Sequence, residues 1–207
     1  MVDISMFHIA RYYVLDDPLP EAREGGFDYI VAGNGVFKRA RNRHLDVCIP
    51  VIAYNFPGLR PCSTYIKLRR MSRLPARLIE IALADARRAA WPGQMETMYH
   101  VYLADDRVRL YKPPQRADAR SLAYRGGGEA GIVMDLHSHC QMPAFFSSTD
   151  DRDEAGFRLY AVIGRIFDPR PEITVRVGVW GNVCPVPVAE VFSLVDEYGW
   201  RDVGWTR

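Results

Sequence analysis

The spacing of hydrophobic residues changes along the chain and divides it into two regions. From residue 7 to about residue 70, short runs rich in β-branched and aromatic residues are separated by turn-forming residues such as Gly33-Asn34-Gly35. This pattern is typical of β-strands joined by tight turns. We therefore predict a β-rich N-terminal region over residues 1–73, with strands in the runs 7–15, 27–33, 47–54 and 64–70.

The clearest helix is predicted over residues 75–90. Pro75 suits the first turn of a helix, and the run Trp91-Pro92-Gly93 should stop it. The apolar positions in between recur at helical spacing and define one face, formed by Leu78, Ile79, Ile81, Leu83 and Ala86.

After this helix, strand patterns dominate again. We predict a loop over residues 113–131 and short helices at 147–156 and from Ala189 onward. The predicted strands are 95–104, 107–113, 131–139, 157–167 and 172–180. Helices and strands in this order predict a mixed α/β (α+β) domain over residues 74–207 with a central sheet.

Composition narrows the possible partners and compartment. The chain has 207 residues, 48% of them hydrophobic, and a net charge of +2, which gives no electrostatic case for nucleic acid or anionic membrane. No run approaches the roughly 20 apolar residues of a membrane span, and the first residues lack the apolar core of a signal peptide. The four cysteines form no C-x-x-C pair and are expected to be reduced thiols. We expect a soluble, cytoplasmic protein.

Candidate chemistry is concentrated where the predicted strand 131–139 ends. His137 and His139 are two residues apart, so a strand would direct both imidazoles to the same face. Asp150 follows after a turn and can add an oxygen ligand. Two imidazoles and one carboxylate leave a fourth position for water, which is the arrangement of a catalytic zinc ion.

Other interpretations of these residues remain open. Ser147 and Asp150 also fit a helix N-cap with a capping box, which is compatible with metal binding. Asp151 is a fallback ligand, and Cys140 is a less favoured fourth ligand because strand alternation would point it away from the histidines. The chain has five histidines and none after His139, which argues against zinc enzymes that need a later histidine.

The spacing H-S-H-x7-S-x2-D over residues 137–150 resembles the JAMM motif of the JAB/MPN metalloprotease family. Residues 157–167 are similar to the strand that follows the metal helix in that family, and the resemblance extends over about 74–187. Within the family, the chain looks most like the bacterial JAB-domain proteins of PRTRC systems. The resemblance implies a cytidine-deaminase-like core, with the N-terminal region lying outside it.

The resemblance also implies roles for individual residues. His137, His139 and Asp150 would bind Zn²⁺, and Ser147 would stabilise the oxyanion.

The family uses an upstream glutamate as general base, and Glu96 fits its place after the first helix. Glu129 ranks second, whereas Glu80 lies inside the helix and His100 is left out of the site. The family often has Cys-Gly soon after this glutamate, but Thr97-Met98 stands here.

The function implied by this resemblance is hydrolysis of a peptide or isopeptide bond at the C-terminus of a ubiquitin-like protein. Its partners would be that protein or its conjugates, and a ThiF-like activating enzyme. Two alternatives remain open. One is a non-catalytic MPN-like scaffold that binds other proteins. The other is a zinc hydrolase that acts on a small-molecule or carrier-linked amide.

Overall fold

The computed structural model describes residues 8–90, 96–104, 107–117, 122–124, 131–193 and 199–204. The chain forms two compact units. One comprises Met1–Arg70 with Asn182–Cys184, and the other comprises Met71–Gly181 with Pro185–Arg207. The assignment of separate roles to residues 1–73 and 74–207 stays a prediction.

The first unit contains a five-stranded sheet in the order β1-β2-β3-β4-β5. β1 and β2 are parallel, and the other neighbours are antiparallel. The strands are β1 (His8–Tyr13), β2 (Gly26–Ala32), β3 (Gly35–Arg41), β4 (Leu45–Ala53) and β5 (Tyr65–Leu68). The structure confirms that this region is rich in β-strands, but the prediction omitted β3.

β3 was missed because three of its seven residues are basic. The structure shows how two of these are buried. The guanidinium of Arg39 donates to Asp28 Oδ2 from Nε at 3.1 Å and from Nη2 at 2.7 Å. The ammonium of Lys38 lies 3.9 Å from the centre of the Phe27 ring. Pairing with a carboxylate and an aromatic face lets a basic strand lie inside a sheet.

A second sheet has seven strands and carries the candidate site. Its order is β14-β13-β12-β11-β7-β8, with β16 paired to β13. β11 is parallel to β12 and antiparallel to β7, so the central sheet is a mixed one. Its strands are β7 (Met98–Ala104), β8 (Arg107–Tyr111), β11 (Ile132–His139), β12 (Phe157–Gly164), β13 (Glu172–Val179), β14 (Asn182–Val186) and β16 (Arg201–Asp202).

The longest helix is α1 (Arg77–Ala89), close to its predicted position. It begins two residues later than predicted because Leu74–Pro75 forms a short strand, β6, that pairs with β15 (Phe192–Ser193). Four of the five residues of the predicted apolar face are buried, but Ile81 is exposed. The mixture of one main helix with a mixed sheet confirms the α+β fold class.

Three other segments differ from their predictions. The predicted loop 113–131 contains an antiparallel pair, β9 (Gln115–Ala117) and β10 (Leu122–Tyr124). The helix predicted over 147–156 is the shorter α2 (Ser148–Asp153). The C-terminal helix is a single turn, α3 (Val188–Val191), which follows Pro187 and ends where Phe192 becomes extended. No described helix is long and apolar enough to cross a membrane.

The end of β12 touches the connection that follows β11. Gly164 lies opposite His139 in the sheet. A Cβ added at Gly164 would lie 2.2 Å from the backbone nitrogen of Ala144 and 2.3 Å from the carbonyl carbon of Pro143. A side chain cannot be accommodated at that distance, so the approach of this connection to the sheet requires glycine.

We therefore expect Gly164→Ala to lower the free energy of unfolding by about 1–3 kcal/mol, because the overpacked backbone must shift. Denaturant unfolding measures this change. The control is Gly181→Asn, since Gly181 has a φ of +84° with open space around it. Asparagine tolerates that conformation, so the control should lose less than about 1 kcal/mol. Equal stability of Gly164→Ala and the unsubstituted protein would contradict the close approach.

Candidate metal centre

β11 brings two histidines together at its C-terminal end. The side chains of His137 and His139 are buried, and their Nε2 atoms are 3.2 Å apart. Ser138, between them, binds the segment that leads into β7. Its Oγ accepts from Thr97 N at 3.0 Å, and its backbone nitrogen donates to Thr97 O at 3.0 Å. This pairing fixes the end of β11 and with it the direction of both imidazoles.

A backbone carbonyl sets the orientation of His139. Its Nδ1 lies 3.2 Å from the oxygen of Pro143, in the connection that approaches Gly164. Because a carbonyl oxygen only accepts, Nδ1 must carry the hydrogen. The lone pair of His139 is therefore on Nε2, the atom that faces His137. Such an outward hydrogen bond commonly holds a metal-binding histidine in one tautomer.

Asp150 comes from α2, and its two carboxylate oxygens have different surroundings. Ser147 caps the helix: its backbone nitrogen donates to Asp150 Oδ2 at 2.6 Å, and its Oγ accepts from Asp150 N at 3.3 Å. The other oxygen, Oδ1, lies 3.7 Å from His137 Nε2. The capping box therefore occupies one oxygen and leaves the other directed at the histidines.

His137, His139 and Asp150 each offer one ligand atom, and these atoms all lie within 4.8 Å of one another. Across the described residues, no other group of three His, Cys, Asp or Glu has this arrangement. Cys140 does not belong to the cluster. The carboxylate of Asp151 is instead bound to Arg176. The geometry therefore favours neither of the two alternative ligands considered from the sequence.

The charge states of the three residues suit a divalent cation. Burial lowers the pKa of His137 to about 4 and also lowers the pKa of His139, so both are neutral near pH 7. Burial alone would raise the pKa of Asp150, but the charge that His137 carries at acid pH and the hydrogen bonds of Ser147 outweigh it, and this pKa is lowered. Two neutral imidazoles and a carboxylate are donors that Zn²⁺ binds well.

Glu96 lies beside this cluster. Its Oε1 is 3.7 Å from His139 Nε2, and its side chain is 31% exposed, so water can reach it. Burial, together with the nearby charge of Asp150, raises the pKa of Glu96 to about 7. The sequence placed Glu96 inside a strand, but β7 begins at Met98, and Glu96 belongs to the segment before it.

The other candidates from the sequence lie elsewhere or cannot be placed. Glu80 accepts a hydrogen bond from Trp200 Nε1 at 2.7 Å. His100 is buried in the sheet, where its Nδ1 lies 2.6 Å from Asp135 Oδ1, and Arg158 donates to the second oxygen of Asp135 at 3.0 Å. Glu129 lies outside the described residues.

Sequence reasoning missed Arg176, which holds α2 in place. This arginine of β13 is fully buried. It contacts Asp151 Oδ1 at 2.5 Å from Nη1, and Glu154 Oε2 at 2.8 Å from Nε and 2.6 Å from Nη2. Its guanidinium also lies 3.9 Å from the centre of the Phe146 ring. The signal was a single arginine in an apolar strand, which requires acidic partners when buried.

Arg176→Met should weaken metal binding, because α2 would lose the guanidinium that holds it. We expect the zinc affinity, measured by competition with a chromophoric chelator, to fall by about 10–100-fold. The control is Arg152→Met, since Arg152 is exposed on α2 and donates to Thr149 Oγ1 in the same helix. Thermal unfolding shows whether Arg176→Met folds. If it does not, Glu154→Gln provides the milder change. A folded Arg176→Met protein with unchanged zinc affinity would contradict the role of Arg176.

Comparison with known proteins identifies the family. The family model of prokaryotic homologs of the JAB domain matches residues 72–177, half of the chain. No curated protein matches. Among solved structures, a protein from Salinibacter ruber, determined in solution, is 21% identical, with 61% of this chain and 94% of that chain covered and a TM-score of 0.36. The matched segment contains β7, β11, α2 and β12, and with them every residue of the candidate metal centre. The chain belongs to the family of prokaryotic homologs of the JAB domain.

Proposed function

We propose that this protein is a zinc-dependent metallopeptidase that hydrolyses a peptide or isopeptide bond at the C-terminus of a ubiquitin-like protein. The observation that carries the proposal is the buried cluster of His137, His139 and Asp150 with Glu96 beside it. A structural role alone would not require an acid of raised pKa next to three metal-binding side chains. Membership of a family that includes metalloproteases supports the same conclusion.

His137, His139 and Asp150 would hold the zinc ion. When bound, zinc lowers the pKa of a water molecule and polarises a carbonyl group. The contribution of the chain is to present these ligands with little rearrangement. The capping box fixes Asp150, and Pro143 fixes the tautomer of His139.

Glu96 is proposed as the general base. Burial raises the pKa of Glu96 above its ordinary value, so its carboxylate can take a proton from the attacking water and later return that proton to the leaving amine. An ordinary glutamate, with a pKa near 4.5, would be a weaker base. Its partial exposure gives water and substrate access to the carboxylate.

Ser147 is proposed to stabilise the oxyanion that develops on the scissile carbonyl. Its Oγ accepts the backbone N–H of Asp150, and its own hydroxyl hydrogen can be donated. Because the capping box holds the serine in place, it needs little reorganisation when charge develops. One such donor is typically worth about 3 kcal/mol in the transition state.

The substrate class is inferred from the spacing of residues 137–150, which resembles that of JAMM enzymes. This resemblance supports a ubiquitin-like protein as substrate and a ThiF-like activating enzyme as a functional partner. The relation to PRTRC systems stays a prediction. The cleavage assay of a ubiquitin-like fusion can be repeated with small amides and carrier-protein conjugates, which tests the other substrate classes with the same protein.

Glu96→Gln should separate metal binding from turnover. We expect this variant to keep about one zinc ion per chain while the cleavage rate of a ubiquitin-like fusion falls by roughly 10²–10⁴-fold. His137→Ala should lose both zinc and activity. The control is Glu190→Gln, an exposed glutamate of α3. Elemental analysis and a gel-based cleavage assay measure these effects.

Two outcomes would overturn parts of this proposal. Full activity in Glu96→Gln would show that another group is the general base. Stoichiometric zinc without cleavage of any fusion, conjugate or small amide would show that the protein is a scaffold.

The activity should fall on acidification, because Glu96 must be deprotonated to accept a proton. The nearby charge of a zinc ion lowers the pKa of Glu96 from about 7 toward its ordinary 4.5, so we expect the midpoint of kcat/KM to lie between these values. Below the midpoint the rate should fall about tenfold per pH unit. The residual activity of Glu96→Gln should not show this fall in kcat/KM at low pH. A pH profile identical to that of the unsubstituted protein would contradict the role of Glu96 as general base.

A further inference from the structure

The first unit contains a pair of cysteines that the metal centre does not use. Cys48 is buried in β4, and Cys62 lies partly exposed in the connection between β4 and β5. Their sulfur atoms are 3.8 Å apart. Cys48 belongs to a small apolar cluster with Ile30, Ala32 and Phe37, and Cys62 packs against that cluster.

Several backbone contacts hold the connection that carries Cys62 against the turn between β2 and β3. Gly33 N donates to Arg60 O at 2.7 Å, and Phe56 N donates to Gly33 O at 3.0 Å. A Cβ added at Gly33 would lie only 2.3 Å from Leu59 O, so the two backbones touch closely.

The side chain of Asn34 fixes Cys62 itself. Its Oδ1 accepts from Cys62 N at 2.8 Å, and its Nδ2 donates to Cys62 O at 2.9 Å. Both polar groups of the cysteine backbone are therefore bound by one amide. This clamp leaves the Cys62 sulfur directed at Cys48.

The two thiols differ in chemistry. The hydrogen bond with Cys48 lowers the pKa of Cys62 to about 7, whereas the pKa of Cys48 is raised by its hydrogen bond to Cys62 and by burial. These directions make Cys62 the thiol of the pair that loses its proton first, with Cys48 as the donor to the resulting thiolate. Cys140 and Cys184 differ from Cys62, since burial raises the pKa of both thiols. Thiolate character and access to solvent are the two properties that make a cysteine reactive.

We propose that Cys48 and Cys62 form a peroxide-reactive dithiol that closes reversibly into a disulfide within the first unit. The Cys62 thiolate attacks one oxygen of hydrogen peroxide. The O–O bond breaks, hydroxide leaves and takes up a proton to form water, and Cys62 becomes a sulfenic acid. The sulfur of Cys48 then attacks the sulfur of Cys62. The S–O bond breaks, the S–S bond forms, and the oxygen leaves as a second water with the proton of Cys48.

The arrangement favours both steps. The partial exposure of Cys62 gives peroxide access, while Cys48 is shielded. Once the Cys62 thiolate is oxidised, its negative charge no longer holds the proton on Cys48. The sulfurs must approach from 3.8 Å to the roughly 2.05 Å of a disulfide. The closed ring would join β4 to the connection that follows it. Transient disulfides of this kind occur in reducing compartments as redox sensors.

The test uses the 207-residue chain with Cys140→Ser and Cys184→Ser, so that Cys48 and Cys62 are the two remaining cysteines. After treatment with a small excess of hydrogen peroxide, we expect the two free thiols to disappear. Peptide mapping should show Cys48 joined to Cys62, and dithiothreitol should restore both thiols. Cys62→Ser should prevent the link. Free thiols that persist, or a Cys62 sulfinic acid beside a free Cys48 thiol, would overturn the proposal.

The two hydrogen bonds between Asn34 and the backbone of Cys62 allow a second test of the proposal. Asn34→Ala releases the backbone of Cys62, so we expect disulfide closure to become about tenfold slower. The control is Asn55→Ala, an exposed asparagine in the same connection, which should close at the unchanged rate. Equal rates in the Asn34→Ala and control proteins would contradict the positioning of Cys62 by Asn34.

Discussion

The site depends on the burial of two neutral imidazoles at the end of β11. His137 and His139 lie between β7 and β12, with Nε2 atoms 3.2 Å apart. Pro143 O accepts the N–H of the neutral His139 ring, so the unprotonated Nε2 of His139 lies 3.2 Å from His137 Nε2 and within 4.8 Å of the Asp150 ligand oxygen. Buried polar groups need partners. A cation held between these atoms would bind all three ligand atoms together.

Elements distant in sequence keep these ligands in place. The carboxylate of Glu172, at the start of β13, accepts from Ala144 N at 3.1 Å and from Arg165 Nε at 3.0 Å, and so holds the connection after β11. Further along the same strand, Arg176 holds α2 through two acids. β13 contributes no ligand, yet it positions the carbonyl partner of His139 and the helix of Asp150. The seven-stranded sheet therefore supports the residues of the candidate metal centre.

Local patterns were sufficient to predict most elements of the second unit. The apolar spacing of α1 and the i, i+2 histidines of β11 depend on nearby residues, and a sequence displays these directly. β3 was missed because Asp28 of β2 pairs with Arg39 and Phe27 of β2 covers the ammonium of Lys38, and hydropathy does not show these contacts. Arg176 was missed for the same reason, since its acidic partners Asp151 and Glu154 lie 25 and 22 residues earlier in the chain. The hydropathy pattern does not show which charged residues pair when they are distant in the sequence.

X-ray absorption at the zinc edge of the purified protein tests the central claim most directly, because it reports the ligands of the ion itself. The arrangement predicts two imidazole nitrogens and oxygen ligands at about 2.0–2.2 Å, with no sulfur. Substitution of His139 by alanine should remove one imidazole from this shell. A sulfur ligand at about 2.3 Å, or zinc bound without histidine, would contradict a centre built from His137, His139 and Asp150.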